Sequence, residues 1–163
     1  MSLRWVDTSV KRPRWRFNAA ATVTPRLSLG IEYNPVVGEV TPTANWIVSP
    51  ETEKLPLVSF GTSSDRIFSP PGKRSYYVTA AKSVWSGRAA PYLGVSYSEW
   101  EETLIFPAGV NFVLAPTLDF LCMHDGRRTH ALVTFKQRDS NITIMAVDLK
   151  KPRLGISLGW GLK

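Results

Sequence analysis

The chain has 163 residues, 44% of them hydrophobic, and a formal net charge of +7. That length suits one domain with a substantial interior, no window approaches the roughly eighteen consecutive apolar residues of a transmembrane helix, and the lone cysteine, Cys122, rules out an intrachain disulfide. The excess of Lys and Arg points to phosphate-rich neighbours such as anionic lipid or nucleic acid.

Residues 3–8 read as a weakly alternating first strand, and Lys11, Arg12 and Arg14 surround Pro13 in a basic loop. The organising stretch comes next. In Trp15-Arg16-Phe17-Asn18-Ala19-Ala20-Ala21-Thr22-Val23-Thr24 the odd positions are apolar and the even ones polar or small, the period-two signature of a two-faced strand. After Pro25 the pattern resumes, with Leu27, Leu29, Ile31 and Tyr33 on one side and Ser28, Gly30 and Glu32 on the other. Residues 34–42 are rich in turn formers and read as a longer loop, followed by a fourth strand over 43–48. A fifth strand spans 57–62, and the longest loop runs over 63–75 with Pro70-Pro71-Gly72 at its tip.

The sixth strand covers 76–84 and the seventh 92–98, where Leu93, Val95 and Tyr97 face away from Gly94, Ser96 and Ser98. An acidic loop through Glu99, Glu101 and Glu102 leads to an eighth strand over 108–114, and a tight turn at Pro116 returns the chain to a ninth over 118–123. The Asp125-Gly126 turn signal precedes a tenth strand over 129–136, and an eleventh follows over 142–147. In the last strand Leu154, Ile156, Leu158, Trp160 and Leu162 alternate with Gly155, Ser157, Gly159, Gly161 and Lys163. This parse places all twelve prolines in loops or at strand ends.

The pattern predicts an all-β fold, an antiparallel up-and-down transmembrane barrel of about ten to twelve strands forming one domain over 1–163. Short turns at Pro25, Glu51, Pro116 and Asp139 interleave with longer loops near Pro35, Pro70 and Glu101, as they do when one end of a membrane barrel is kept short. Large aromatics fall near strand ends: Trp15, Tyr33, Tyr76, Tyr97 and Trp100 towards the long loops, Trp85, Tyr92 and Trp160 towards the short turns. Small residues such as Gly94, Ser96, Gly109, Ser157 and Gly159 occupy the polar faces, as the crowded inside of a narrow barrel requires. The competing architecture is a soluble β-sandwich.

Several motifs resemble a known group. Arg26-Leu27-Ser28-Leu29-Gly30-Ile31-Glu32-Tyr33-Asn34-Pro35, Ala44-Asn45-Trp46, Phe60-Gly61-Thr62-Ser63-Ser64-Asp65-Arg66-Ile67, Ser75-Tyr76-Tyr77-Val78-Thr79 and Ala90-Pro91-Tyr92-Leu93-Gly94-Val95-Ser96-Tyr97 are similar to stretches of uncharacterised bacterial outer-membrane-type β-barrel proteins. The resemblance covers residues 15–100 and implies strand and turn layout without catalytic residues or cofactors. It implies a bacterial outer-membrane location, with a signal segment removed or upstream. Barrels of this kind commonly end on an aromatic residue that the insertion machinery recognises, whereas this sequence closes Trp160-Gly161-Leu162-Lys163.

Candidate chemistry is sparse. His124, Asp125 and His130 flank one predicted loop and could approach one another as a metal site requires, but their spacing matches no standard ligand motif. Gly61-Thr62-Ser63-Ser64-Asp65-Arg66 could cradle a phosphate with its amides, yet lacks the lysine and helix of a phosphate-binding loop. Neither a nucleophile elbow nor a paired-carboxylate arrangement occurs, so the sequence argues against an enzyme. The main functional feature is a basic rim of Arg12, Arg14, Lys73, Arg74, Arg127, Arg128, Lys150 and Lys151, able to bind lipid phosphates or draw anions into a lumen. Arg16, Asn18, Glu32 and Asn111 are the expected lumen-facing polar groups. The function expected is a structural or channel-like, porin-like barrel contacting membrane lipid and other outer-membrane proteins; the alternative is a soluble β-sheet module binding nucleic acid or another polyanion through the same loops.

Overall fold

The computed structural model describes residues 1–161, so Leu162 and Lys163, the last positions of the final alternation, lie outside the described residues. In chain order the elements are β1 (Ser2–Val6), a single helical turn α1 (Lys11–Arg14), β2 (Trp15–Thr24), β3 (Leu27–Asn34), β4 (Glu39–Ser49), β5 (Leu57–Ser64), β6 (Arg74–Ala81) and β7 (Ala89–Ser98). There follow β8 (Thr103–Ile105), β9 (Ala108–Ala115), β10 (Leu118–His124), β11 (Thr129–Gln137), β12 (Ser140–Val147) and β13 (Arg153–Trp160).

All pairings are antiparallel and the ring is closed. The sheet runs from β6 back through β1, on to β13 and down to β9 and β7, and pairing of β6 with β7 joins its ends. β8 and β9 lie on the same side of β7 in one register, Ser96 opposite Ile105 and Leu93 opposite Ala108. Between them the Gly94 N–H donates to the Pro107 carbonyl at 2.8 Å. The two segments are therefore one stave running through a proline, and the fold is a 12-stranded barrel.

Which face points outward decides between barrel and sandwich. Leu29, Leu154 and Ile156 are 45%, 56% and 41% exposed, and Trp15, Phe17, Val78, Leu93, Val95, Ile142, Ile144 and Leu158 are exposed with them. Among the described residues, glycines aside, the buried groups comprise five apolar and fifteen polar or charged residues. A soluble sandwich hides its oil between two sheets. Here the ratio is inverted, as in a barrel whose outer wall meets hydrocarbon. β2, β4 and β7 are 10, 11 and 10 residues long, the length a tilted strand needs to cross a bilayer core.

The strand bounds correct the sequence reading in several places. Lys11–Arg14 is a helical turn rather than an irregular loop, and β8 was not anticipated. Glu39–Pro42, read as loop, belongs to β4, where Val40 and Pro42 pair with Tyr33 and Ile31. Pro42 and Pro91 lie inside strands and Pro107 inside a stave, so the expectation that every proline avoids strand interiors is overturned. Pro42 is tolerated because β5 pairs with β4 only from Ala44 onward, leaving no ladder bond for its missing N–H to make. Tyr92, expected in an aromatic girdle, turns into the lumen instead.

Inward glycines explain how large side chains fit. Gly61 stands opposite Tyr77 and Gly109 opposite Tyr92. A Cβ on Gly61 would lie 2.5 Å from the Tyr77 hydroxyl, and one on Gly109 2.7 Å from the Tyr92 ring. Gly155 likewise accommodates Met145, and Gly159 accommodates Asn141. Each large inward residue lies flat over a wall lacking side-chain bulk, which leaves space in the middle.

Candidate functional site in the lumen

The connections fall at two ends. Residues 7–14, 35–38, 65–73, 99–102, 125–128 and 148–152 cluster at one end, with the short turns and the Met1 terminus at the other. Length is not the whole distinction, because residues 50–56 and 82–88 at the second end are as long as several loops of the first.

At the first end, residues 65–73 fold across the mouth. Asp65 N–H donates to the Lys73 carbonyl at 3.0 Å and Ser69 N–H to the Arg66 carbonyl at 3.1 Å, giving the loop its shape. Ile67 and Phe68 pack down, as Leu132 does, against Val6, Met145 and Val147. Phe68 takes φ of 79°, a region unfavourable for a bulky residue, and its ring lies beneath the guanidinium groups of Arg128 and Arg153 at 4.6 and 5.3 Å. Two cations at one aromatic ring help offset that strain.

The loop is locked from below. Arg12 Nε donates to Glu39 Oε2 at 2.7 Å and its Nη1 to the Ser69 hydroxyl at 2.6 Å. Glu39 also accepts from Gly72 N–H at 2.6 Å and Asn34 Nδ2 at 3.0 Å. On the opposite side Asp65 accepts from the Ser98 hydroxyl at 2.5 Å and Trp100 N–H at 3.2 Å. Arg66 pairs with Glu101 at 2.5 Å while stacking over Trp100.

Beneath this roof lies a chamber of about 510 Å³. Arg4 and Arg16 of adjacent strands, directly opposite in register, form one wall with Ser157 beside them. Tyr77, Tyr92, Ser96, Thr79 and Thr143 supply hydroxyls around it. Arg16 Nη1 donates to Glu32 Oε1 at 2.8 Å, and Glu32 Oε2 takes both the hydroxyl and the N–H of Ser64. Asn18 stands opposite Glu32 in the β2–β3 ladder, and Asn111 opposite Leu121 and Ala90 in the far wall.

His130 is fixed in one tautomer. Asp148 N–H donates to its Nδ1 at 3.2 Å, so Nε2 carries the proton and donates to Asp125 Oδ2 at 3.0 Å. Asp125 Oδ1 takes the N–H groups of Arg127 and Arg128 at 2.9 and 2.8 Å. Burial alone would raise that carboxyl, but the bonds from His130, Arg128 and Arg127 outweigh it and hold it below its ordinary value. His124 bonds Thr129 at 3.2 Å and, one residue after inward-facing Met123, lies on the other face of β10. The metal candidate therefore comes apart: strand alternation sends the two histidines to opposite sides, and no metal-holding group of three occurs among the described residues.

The phosphate-cradle candidate also dissolves, because Gly61 through Ser64 are strand and the Ser64, Asp65 and Arg66 amides are already bonded. Of the acidic loop, Glu99 accepts from Arg74 N–H and the Tyr76 hydroxyl, and Glu101 bridges Arg66 and Arg127. Hydrogen bonds from Arg127 and Arg66 hold the Glu101 carboxyl below its ordinary value.

The basic rim divides. Arg12 is buried in the Glu39 lock and is not a rim group. Arg127 pairs with Glu101 at 2.7 Å, Arg128 with Asp148 at 3.3 Å, and Arg74 donates to the Pro42 carbonyl at 3.1 Å. Arg14, Lys150 and Lys151 are exposed and Lys73 partly so, none with an ion pair among the described residues. Sequence alone pointed to charge at this end but could not say which charges neutralise one another. Arg4, in a weakly alternating strand, gave no signal until its register with Arg16 was known.

Comparison by sequence finds no matching family model and no matching curated protein. Comparison by structure finds a NanC porin, similar at a TM-score of 0.71 with 11% identity over 99% of this chain and 99% of that one. At that identity the likeness concerns fold alone: the chain has the closed antiparallel barrel architecture that a porin also uses.

Proposed function

We propose that the protein is a small, non-catalytic, channel-like barrel of a bacterial outer membrane. The observation that carries this reading is the inverted burial, with large apolar side chains exposed on the outer wall of a closed ring whose buried groups are mostly polar. In water such a wall would be an aggregation surface; in a bilayer it is the stable arrangement. The lumen is narrow and partly filled by its own side chains and the 65–73 roof, so the solutes it suits are small. Arg14, next to outward Trp15, with Lys150 and Lys151 at the same roofed end, are the groups we assign to anionic lipid phosphates.

The test is fractionation of the expressed protein followed by reconstitution. It should sediment with membranes, need detergent for extraction, migrate differently in SDS before and after boiling, and give discrete conductance in planar bilayers. Recovery as a soluble monomer without detergent, binding polyanions with steep salt dependence, would overturn the reading in favour of the nucleic-acid alternative.

A further inference from the structure

Within the chamber the charges are almost all accounted for. Glu32 is taken by Arg16 and Ser64, Asp65 by Ser98 and Trp100, Asp125 by His130 and two backbone amides, and Arg66 by Glu101. Arg4 is the exception. It makes no hydrogen bond or ion pair with any described residue, and its Nε is buried without a partner. It also faces a second guanidinium, because Arg4 and Arg16 are direct cross-strand partners on the inward face.

Cross-strand neighbours have Cβ atoms about 5 Å apart, and like charges so placed repel. A guanidinium does not readily shed its proton, and Glu32, the acid whose charge reaches Arg4, is already bonded to Arg16 and Ser64, so one carboxylate serves two guanidinium groups. Something negative resolves both problems at once. Guanidinium groups match carboxylate and phosphate oxygens with paired N–H donors, and the chamber, at about 510 Å³, lies within the roughly 300–1,000 Å³ range of small-molecule sites.

We propose that the roofed chamber is a binding site for a small oxyanion, a carboxylate- or phosphate-bearing solute held by Arg4 with Arg16 beside it. Arg16 keeps Glu32 as its partner, so Arg4 is the residue on which binding depends. The phenols of Tyr77 and Tyr92 stand around the same space, make no hydrogen bond with the described residues, and serve the remainder of the solute. The site rests on the channel reading for the route by which solute arrives, but binding itself is measurable on purified protein in detergent micelles.

The experiment titrates the folded protein with inorganic phosphate in one arm and acetate in the other, by calorimetry, with the SDS mobility shift confirming the fold of each variant. Wild type should show saturable binding of at least one anion, and the arm with the higher affinity identifies the head group. Arg4→Gln should weaken it roughly tenfold or more, the effect of losing a charge-assisted pair. Ser157→Asp, which sets a carboxylate opposite Arg4 in the β1–β13 ladder, should weaken it likewise while keeping the arginine. Should Arg4→Gln fail to fold, that second variant carries the test. Lys54→Gln, exposed in the 50–56 connection at the opposite end of the barrel, should bind as wild type does. Binding of neither anion by wild type, or unchanged binding in both chamber variants, would overturn the site. A protein that conducts in bilayers but shows no Arg4-dependent binding loses the site alone, whereas one that binds through Arg4 yet never enters a bilayer loses the channel reading alone.

Discussion

Arg12 and Glu39, 27 residues apart in sequence, meet at 2.7 Å in a buried ion pair that joins the helical turn α1 to the start of β4. Through Ser69 and Gly72 the same two side chains hold the loop that roofs the lumen.

Breaking that pair from one side should loosen the roof. Glu39→Gln leaves the Arg12 guanidinium buried without its counter-charge, and removing one partner of such a pair costs about 3–5 kcal/mol. The expected outcome is a lower unfolding midpoint in detergent with urea, together with protease cleavage within 65–73 that wild type resists. A midpoint unchanged from wild type would show that the pair does not hold the loop.

The two faces of β13 should respond oppositely to charge. Leu158 is exposed on the outer wall and Ser157 lines the chamber. Leu158→Arg should impair membrane assembly, since a lipid-facing arginine costs roughly 2–4 kcal/mol near the bilayer midplane, whereas Ser157→Asp should still assemble. The yield of heat-modifiable protein measures both; equal yields would contradict a two-sided wall.

Gly109 should not accept even a methyl group. A Cβ there would sit 2.7 Å from both the Cys122 carbonyl oxygen and the Tyr92 ring. The carbonyl belongs to the neighbouring strand and cannot swing away, so Gly109→Ala should lower stability by about 1–3 kcal/mol. The double variant with Tyr92→Ala should recover only part of the loss in the unfolding midpoint, because the backbone clash remains.

The carboxylates of the roofed end set an acid limit. Glu101 and Asp125 are held below their ordinary values in the fold, so their ionised forms contribute stability above the unfolded carboxyl pKa of about 4. That contribution is lost as pH falls through the lower folded values. The temperature of the SDS mobility shift should stay level from neutrality to about pH 5 and drop below about pH 4. Glu101→Gln should be less stable at neutral pH and show a shallower acid drop.

Much of the fold was legible because a two-sided wall writes itself into the chain with period two. Trp15, Phe17 and Val23 outward, with Arg16 and Asn18 on the opposite face, follow from local alternation alone. Boundaries failed where tertiary pairing supplied what local signals denied: Pro42 and Pro91 read as breaks, yet the ladder needs no donor from Pro42. Tyr92 read as an interfacial ring, and only the empty wall at Gly109 shows that it lies inside.

By itself, then, the sequence determined two-faced antiparallel strands, oily on one side and small or polar on the other, because that alternation is a property of each strand taken singly; that the oily side faces outward rather than into a sandwich was decided by closure of the ring. Which cations are spent on carboxylates and which remains open was decided only by closure of the ring. Glu39 reaches Arg12, Glu101 reaches Arg66 and Arg127, and Glu32 reaches Arg16, while register sets Arg4 opposite Arg16 without an ion pair of its own among the described residues. Pairing between groups tens of residues apart depends on how strands are brought alongside one another, and no local pattern encodes that.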